Sequence, residues 1–125
     1  MNRRAELLNR LAEFREPPDP LLAELRTFPF DWNDAPLLVL SCDHFRRVLG
    51  RFLSGDITSA QLQDWAECLE TRDDVAFDLD HAELLGDLQF RLANPTINGE
   101  LTHALARGML AELAAATSNY RLERP

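Results

Sequence analysis

The sequence predicts an all-α fold: a single compact bundle of five or six short helices, which can accommodate a minor two-stranded element. Three observations support this prediction. Apolar side chains recur at the i, i+3, i+4 spacing of a helix, capping residues precede those stretches, and glycine or proline follows them. With 125 residues, 46% hydrophobic and 27% charged, the chain is long and apolar enough to bury a core.

The first 20 residues are predicted to form an amphipathic helix followed by a proline-rich break. One face of a helix over residues 3–15 carries Leu7, Leu8, Leu11 and Phe14. The sequence EPPDP at residues 16–20 stops this helix, because proline lacks an N–H donor and restricts the residue before it. A second, shorter helix is predicted over residues 21–27.

Residues 28–36 are predicted to form an irregular loop that is rich in aromatic side chains. The loop contains Phe28, Phe30 and Trp32. Large rings are seldom left in water, so we expect this loop to lie across the core or to line a groove. Trp32 is the candidate aromatic anchor for a partner protein.

Two central helices have clear start and stop signals. Ser41 is the predicted N-cap of a helix that ends near residue 54, before Gly55. Thr58 and Gln61 form a capping-box pair at the start of the next helix. The inward face of that helix carries Leu62, Trp65, Ala66 and Leu69, and its outward face carries Asp64, Glu67 and Glu70.

A short extended segment after the second central helix is an alternative that the sequence allows. Val75, Phe77 and Leu79 occur at alternate positions, which is typical of a strand with one face inward. Residues 37–40 are the candidate pairing partner. An isolated pair of strands is marginal unless it packs against other elements.

Two further helices are predicted in the C-terminal part of the chain. Asp80 and Glu83 form a second capping-box pair, at the start of a helix that ends near residue 93. Thr102 is the predicted cap of the last helix, and residues 117–125 are predicted to be a flexible tail. No repeat or linker divides the chain, so residues 1–125 are predicted to be one domain.

The net charge of −8 is unevenly distributed along the chain. Residues 56–100 contain eleven acidic side chains and two arginines, whereas the rest contains ten acidic side chains and eleven arginines. An acidic field of this kind repels nucleic acid and anionic membranes and favours a basic protein as the partner. The alternative is that the acidic helix faces serve only solubility.

The sequence predicts a cytoplasmic protein. The longest apolar run, at residues 36–40, is too short to span a bilayer. Arg3 and Arg4 are followed by further polar residues instead of the apolar core of a signal peptide. Cys42 and Cys68 lie far apart without metal-binding spacing, which favours two reduced thiols.

The sequence contains no motif that predicts an enzyme or a cofactor. Common nucleotide-binding and hydrolase motifs are absent. His44, His81 and His103 lack a His or Cys at helical ligand spacing, so no metal site is predicted. Arg46, Arg47 and Arg51 form a basic cluster that can bind an anion, although pairing with nearby acids such as Asp43 is the simpler interpretation.

Several short segments resemble small acidic all-helical bacterial proteins, mostly uncharacterised, some of which are of toxin-immunity type. The segments are RFLSGDIT at residues 51–58, DWA at 64–66, DD at 73–74, LANPTING at 92–99 and LT at 101–102. The resemblance spans residues 38–113 and rests on turn and capping features. It implies protein binding and brings no catalytic residues with it.

The leading hypothesis is therefore a non-enzymatic protein-binding domain, in its most concrete form an immunity protein that neutralises a basic toxin. The candidate partner-binding residues are Trp32, Asp64, Glu67, Glu70, Asp73, Asp74, Glu83 and Asp87. The main alternative is an adaptor that forms a homo-oligomer through the aromatic loop and the first helix. A metal-dependent enzyme that uses His81 and its neighbouring carboxylates is a third possibility, which the ligand spacing does not support.

Overall fold

A computed structural model describes residues 3–28, 36–70, 72, 74–98 and 100–123 of the chain. These residues are mostly helical and include one two-stranded parallel sheet. The predicted fold class, an all-α bundle with a minor strand element, is confirmed. The elements in chain order are α1 (Arg3–Glu13), α2 (Pro18–Leu25), β1 (Leu38–Leu40), α3 (Cys42–Leu53), α4 (Ser59–Glu70), β2 (Val75–Phe77), α5 (Ala82–Ala93), α6 (Pro95–Asn98) and α7 (His103–Glu123).

The proline-rich segment both ends α1 and begins α2. Phe14 has a left-handed backbone (φ 54°), which ends α1 while the ring stays buried. Pro18 is the first residue of α2, where its missing N–H costs no helical hydrogen bond. The second helix therefore starts three residues earlier than predicted. A hydrogen-bonded ion pair from Arg3 Nε to Glu24 Oε2 (2.6 Å) connects the two helices.

The core is one contiguous cluster centred on α4. Trp65 is fully buried, and its ring packs edge-on against Phe45 at a centroid distance of 5.1 Å. The indole N–H donates to the backbone carbonyl of Ala12 at 2.8 Å, so α1, α3 and α4 meet at this side chain. The apolar faces predicted for α1 and α4 are buried: Leu7, Leu8, Leu11, Phe14, Leu62, Trp65, Ala66 and Leu69.

The two strands pair as the sequence predicted and run parallel. Val39 of β1 lies opposite Ala76 of β2, with Leu38 and Leu40 opposite Val75 and Phe77. Parallel pairing requires a long connection, which α3 and α4 provide. Leu38 and Leu40 point into the core, whereas Val39 points outward and is half exposed.

The capping signals at the start of three helices are confirmed. Thr58 N–H donates to Gln61 Oε1 (2.8 Å) and Gln61 N–H donates to Thr58 Oγ1 (3.1 Å), which completes a capping box. Thr102 Oγ1 accepts from the N–H of Leu105 at 3.1 Å. Ser41 precedes α3 as predicted, but its own backbone N–H donates to the Nδ1 atom of His44 at 3.0 Å.

The capping box predicted from Asp80 and Glu83 is wrong. The Asp78 carboxylate instead accepts from the N–H of Asp80 at 3.3 Å and begins a short 3₁₀ helix, Leu79–His81. α5 begins after that turn, at Ala82. The cap lies two residues earlier because the chain needs this extra turn between β2 and α5.

The last helix is longer than predicted. α7 continues to Glu123, so the tail predicted over residues 117–125 is wrong for residues 117–123. Thr117 Oγ1 accepts from Arg46 of α3 at 2.8 Å and donates to the Leu113 carbonyl at 2.9 Å. These contacts support the helix beyond the predicted end. Residues 124–125 lie outside the described residues.

α4 and α5 are packed neighbours that run in the same direction. Gln89 of α5 donates to the carbonyl of Ala66 at 3.2 Å, and Asn94 donates to Glu70 at 3.3 Å. From the first hydrogen bond to the second, the position moves from Ala66 to Glu70 on α4 and from Gln89 to Asn94 along α5 and its C-terminal end. Both numbers increase, so the two helices run in the same direction. This pairing sets two acidic helices beside each other.

Candidate protein-binding surface

Most of the predicted acidic residues lie on the outward faces of α4 and α5. Asp64, Glu67 and Glu70 are exposed on α4, because the opposite face of that helix is buried around Trp65. Glu83 and Asp87 are exposed on α5, one turn apart. These five carboxylates, Asp64, Glu67, Glu70, Glu83 and Asp87, are called the acidic surface below.

The acidic surface is poorly neutralised by nearby cations. Arg91 forms an ion pair with it: its Nε lies 3.4 Å from Asp87, while its terminal nitrogen lies 2.7 Å from Glu112 of α7. Arg15 and Arg51 line a pocket together with Asp64, but they pair with Glu13 and Asp56. In the described part of the chain, no ion pair involves any of the four other carboxylates. The field of these residues is therefore directed into solvent, where a basic partner can respond to it.

Asp74 does not belong to the acidic surface. Its side chain is only 6% exposed and accepts hydrogen bonds from Arg72 (2.9 and 3.0 Å) and Arg4 (3.0 Å). Its backbone carbonyl accepts from the N–H of Leu37 at 2.8 Å, at the start of the strand pair. We therefore correct the predicted partner-binding role: this carboxylate connects α1 to the sheet inside the fold.

The environment of Asp74 favours its charged form. Burial by itself raises the pKa of a carboxyl group, but the hydrogen bonds and positive charges of Arg72 and Arg4 outweigh burial and lower the pKa of Asp74. The group is thus held ionised, as required of a carboxylate that bridges two guanidinium groups.

Two other predicted partner-binding residues, Trp32 and Asp73, lie outside the described residues. The predicted aromatic loop is described only at its two ends. Phe28 is half-buried and packs against the core, and Pro36 is exposed. The role assigned to Trp32 stays a prediction.

An apolar groove on the outer face of the sheet was not predicted. Its lining is formed by Pro36, Val39, Ala76, Phe77, Asp78, Leu79 and Asp80, and its volume is about 520 Å³. We call it the sheet groove. Val39 is 50% exposed and Leu79 is 92% exposed, although both are large aliphatic side chains.

The sheet groove was not predicted because Val75, Phe77 and Leu79 occur at alternate positions. This alternation suggested that all three side chains point inward. The strand ends at Phe77, however, and the 3₁₀ helix turns Leu79 out into solvent. The position of Leu79 between Asp78 and Asp80 was the signal in the sequence that could have predicted its exposure.

The predicted basic cluster is largely used within the fold. Arg46 pairs with Asp43 at 2.7 Å, as the simpler interpretation expected, and also contacts Thr117. Arg51 pairs with Asp56 at 2.6 Å and donates to the carbonyl of Phe14. The guanidinium groups of Arg46 and Arg51 thus connect elements of the fold.

The histidines and cysteines have structural surroundings. His81 Nδ1 lies 3.3 Å from Asp78, and the ring of His103 packs edge-on against Phe52. Burial raises the pKa of both Cys42 and Cys68, so neither thiol is activated as a nucleophile. Within the described ranges, no group of three potential ligands is arranged to hold a metal ion.

Comparison with models of protein families, with curated proteins and with solved structures found no match to this chain. The resemblance to immunity-type proteins therefore stays a prediction. None of the helices in the described part of the chain combines the length and apolar character needed to cross a bilayer.

Proposed function

We propose that this protein is a non-enzymatic binding domain whose acidic surface engages a basic protein. In its most concrete form it is a bacterial immunity protein that neutralises a cationic toxin in the cytoplasm. The observation that carries the proposal is the exposure of Asp64, Glu67, Glu70 and Glu83, for which the described residues provide no ion pair. A partner that supplies arginine or lysine would satisfy these carboxylates.

In the proposed mechanism, the acidic surface first attracts the basic partner over a distance. A contact smaller than the acidic surface then loses its water as the complex forms. Carboxylates on neighbouring helices produce a field of one sign, which accelerates the encounter with a basic surface. Because α4 and α5 pack through buried side chains such as Gln89, the carboxylates are mounted on a rigid pair of helices. Binding then requires little reorganisation of the domain.

The first test is capture of partners from a lysate of the native host at low and high salt, followed by kinetics with the basic protein recovered. The triple variant Asp64→Asn, Glu67→Gln, Glu70→Gln removes charge while it keeps side-chain shape. We expect its association rate to fall about tenfold at low salt and its salt dependence to flatten.

The control is the triple variant Glu6→Gln, Asp43→Asn, Glu100→Gln, which removes the same formal charge at exposed positions outside α4 and α5. Equal slowing in both variants would mean that only net charge matters and would contradict a specific acidic surface. Unchanged kinetics in the first variant would remove α4 from the proposal.

A self-associating adaptor is the alternative, and the exposed Leu79 favours it. The part of that hypothesis that used the first helix is not supported, since Leu7, Leu8 and Leu11 are buried in the core. Sedimentation velocity over a range of concentrations distinguishes the two functions. An oligomer that is insensitive to salt and weakened by Trp32→Ala supports the adaptor.

A further inference from the structure

The sheet groove is an apolar site on a highly charged protein. Its floor is the outward face of the strand pair, where Val39 lies opposite Ala76. Pro36 and Leu79 also line it, and Leu79 is almost fully exposed. Water contact with these side chains is unfavourable, and an aliphatic side chain placed between them would remove it.

The charged residues that line the groove are all acidic. Asp80 is exposed, and Asp78 is held in place by the N–H of Asp80 at 3.3 Å and by His81 Nδ1 at 3.3 Å. The groove is also continuous in the chain with the acidic surface, because α5 and its Glu83 follow the 3₁₀ helix directly. A ligand that fits both features is aliphatic in the middle and cationic at its ends.

We propose that the sheet groove is the anchoring site for the partner: it receives an aliphatic side chain from a segment in which arginine or lysine residues flank leucine, isoleucine or valine. The cationic neighbours contact Asp78 and Asp80, and the rest of the partner lies over the acidic surface. This inference rests on the proposed function and gives the anchoring contact a place in the described part of the chain. The apolar contact slows dissociation of the complex, whereas the acidic surface accelerates association.

A second copy of the chain is a poor occupant of the groove. Two copies each carry a net charge of −8 and repel one another at low salt. The rim carboxylates Asp78 and Asp80 would then face a surface with an excess of acidic groups. Charge complementarity therefore selects a basic partner over self-docking.

The test is a titration of the isotope-labelled protein with three synthetic peptides, followed by amide chemical shifts in NMR spectra. The first peptide alternates arginine with leucine or valine. The second replaces its aliphatic residues by serine, and the third replaces its arginines by glutamate. We expect the first to shift the amides of Val39, Ala76 and Leu79, and the third to shift none of them.

Two groove variants test the anchoring contact. Leu79→Ser removes an exposed side chain and is not expected to disturb folding, and Val39→Thr keeps strand propensity while it adds a hydroxyl group. Each should weaken binding of the first peptide by about tenfold. The control is Ala115→Ser, which adds a hydroxyl group at an exposed position of α7, outside the groove lining and outside α4 and α5. Its affinity should equal that of the wild type.

The outcomes separate the anchoring site from the proposed function. If the serine peptide binds the acidic surface as tightly as the first, and Leu79→Ser has no effect, the groove proposal is overturned and the proposed function stands. If neither the first peptide nor the serine peptide binds, the groove proposal and the proposed function are both overturned. Groove shifts that appear on concentrating the protein alone would show that a second copy is the occupant and would overturn the proposal.

Discussion

Asp74 and Glu67 have the same charge and lie seven residues apart, yet the fold uses them in opposite ways. The Asp74 carboxylate is buried between Arg4 and Arg72. The Glu67 carboxylate is exposed at the surface of α4, where it accepts a hydrogen bond from Gln63 at 2.8 Å and has no ion pair with another described residue. The acidity of residues 56–100 thus includes a buried carboxylate that is paired inside the fold and carboxylates that are exposed to solvent.

The difference teaches that a charge count does not reveal what each charge does. Arg4 lies 70 residues from Asp74 in the chain, so their contact exists only after α1 has packed against the sheet. Once it exists, removal of the carboxylate takes this acceptor away from two partly buried guanidinium groups. Removal of an exposed carboxylate changes the free energy of unfolding little, because solvent hydrates the groups around it in both states.

The largest expected effect is therefore at Asp74. We expect Asp74→Ala to lower the free energy of unfolding by about 2–3 kcal/mol, because the buried hydrogen bonds from Arg4 and Arg72 to this carboxylate are lost. Urea denaturation followed by circular dichroism measures this loss. Because the pKa of Asp74 is lowered in the folded state, its contribution is present above about pH 4 and is lost as the pH falls further. A loss below about 0.5 kcal/mol would show that the two kinds of carboxylate do not differ.

An intermediate effect is expected at His44, whose charged form the fold disfavours. Burial, with a smaller contribution from Arg47, lowers the pKa of His44 below its ordinary value. Its Nδ1 atom accepts from the Ser41 N–H, which protonation prevents. The stabilisation is therefore present above about pH 6.5 and is lost as the pH falls through the folded-state pKa.

The matched variant for this test is His44→Gln, which keeps an acceptor at the third helical position but does not titrate. Between pH 7 and pH 5 the wild type should lose about 1 kcal/mol of stability relative to the variant. Thermal melts at several pH values measure the difference. Parallel pH profiles for the two proteins would refute the role of His44 in capping α3.

The smallest expected effect is at Glu67. Glu67→Gln should change the free energy of unfolding by less than about 0.5 kcal/mol, because the side chain is exposed and has no ion pair in the described structure. Chemical denaturation beside Asp74→Ala gives a direct comparison. A stability loss similar to that of Asp74→Ala would mean that α4 relies on this carboxylate, and the acidic surface would then be a structural feature.

Much of the helical architecture could be predicted from local patterns. The stripe around Trp65 identified both the buried and the exposed face of α4, since a helix with one apolar face has only one way to orient in a compact core. Thr58 with Gln61 and Thr102 marked helix starts correctly, because a capping hydrogen bond spans only three residues.

Predictions failed where a distant contact or a competing local cap outweighed the signal in the sequence. Residues 117–123 are polar enough to suggest a tail, but Arg46 reaches Thr117 from α3 and helps to hold the helix. Asp80 with Glu83 has the spacing of a capping box, but the turn after β2 places the cap at Asp78. In both cases the deciding partner belongs to another element or to an earlier turn.

The sequence by itself determined where most of the longer helices lie, which faces of α1 and α4 are buried and that one stretch is strongly acidic. Those properties depend on periodicity, capping and composition, all of which operate over a few residues. The tertiary structure alone decided that Asp74 is enclosed by two arginines, that Leu79 faces solvent, and that β1 and β2 form the floor of a groove. These features require segments distant in the chain to meet, and the strength of a charge or an apolar contact depends on the surroundings created by that meeting.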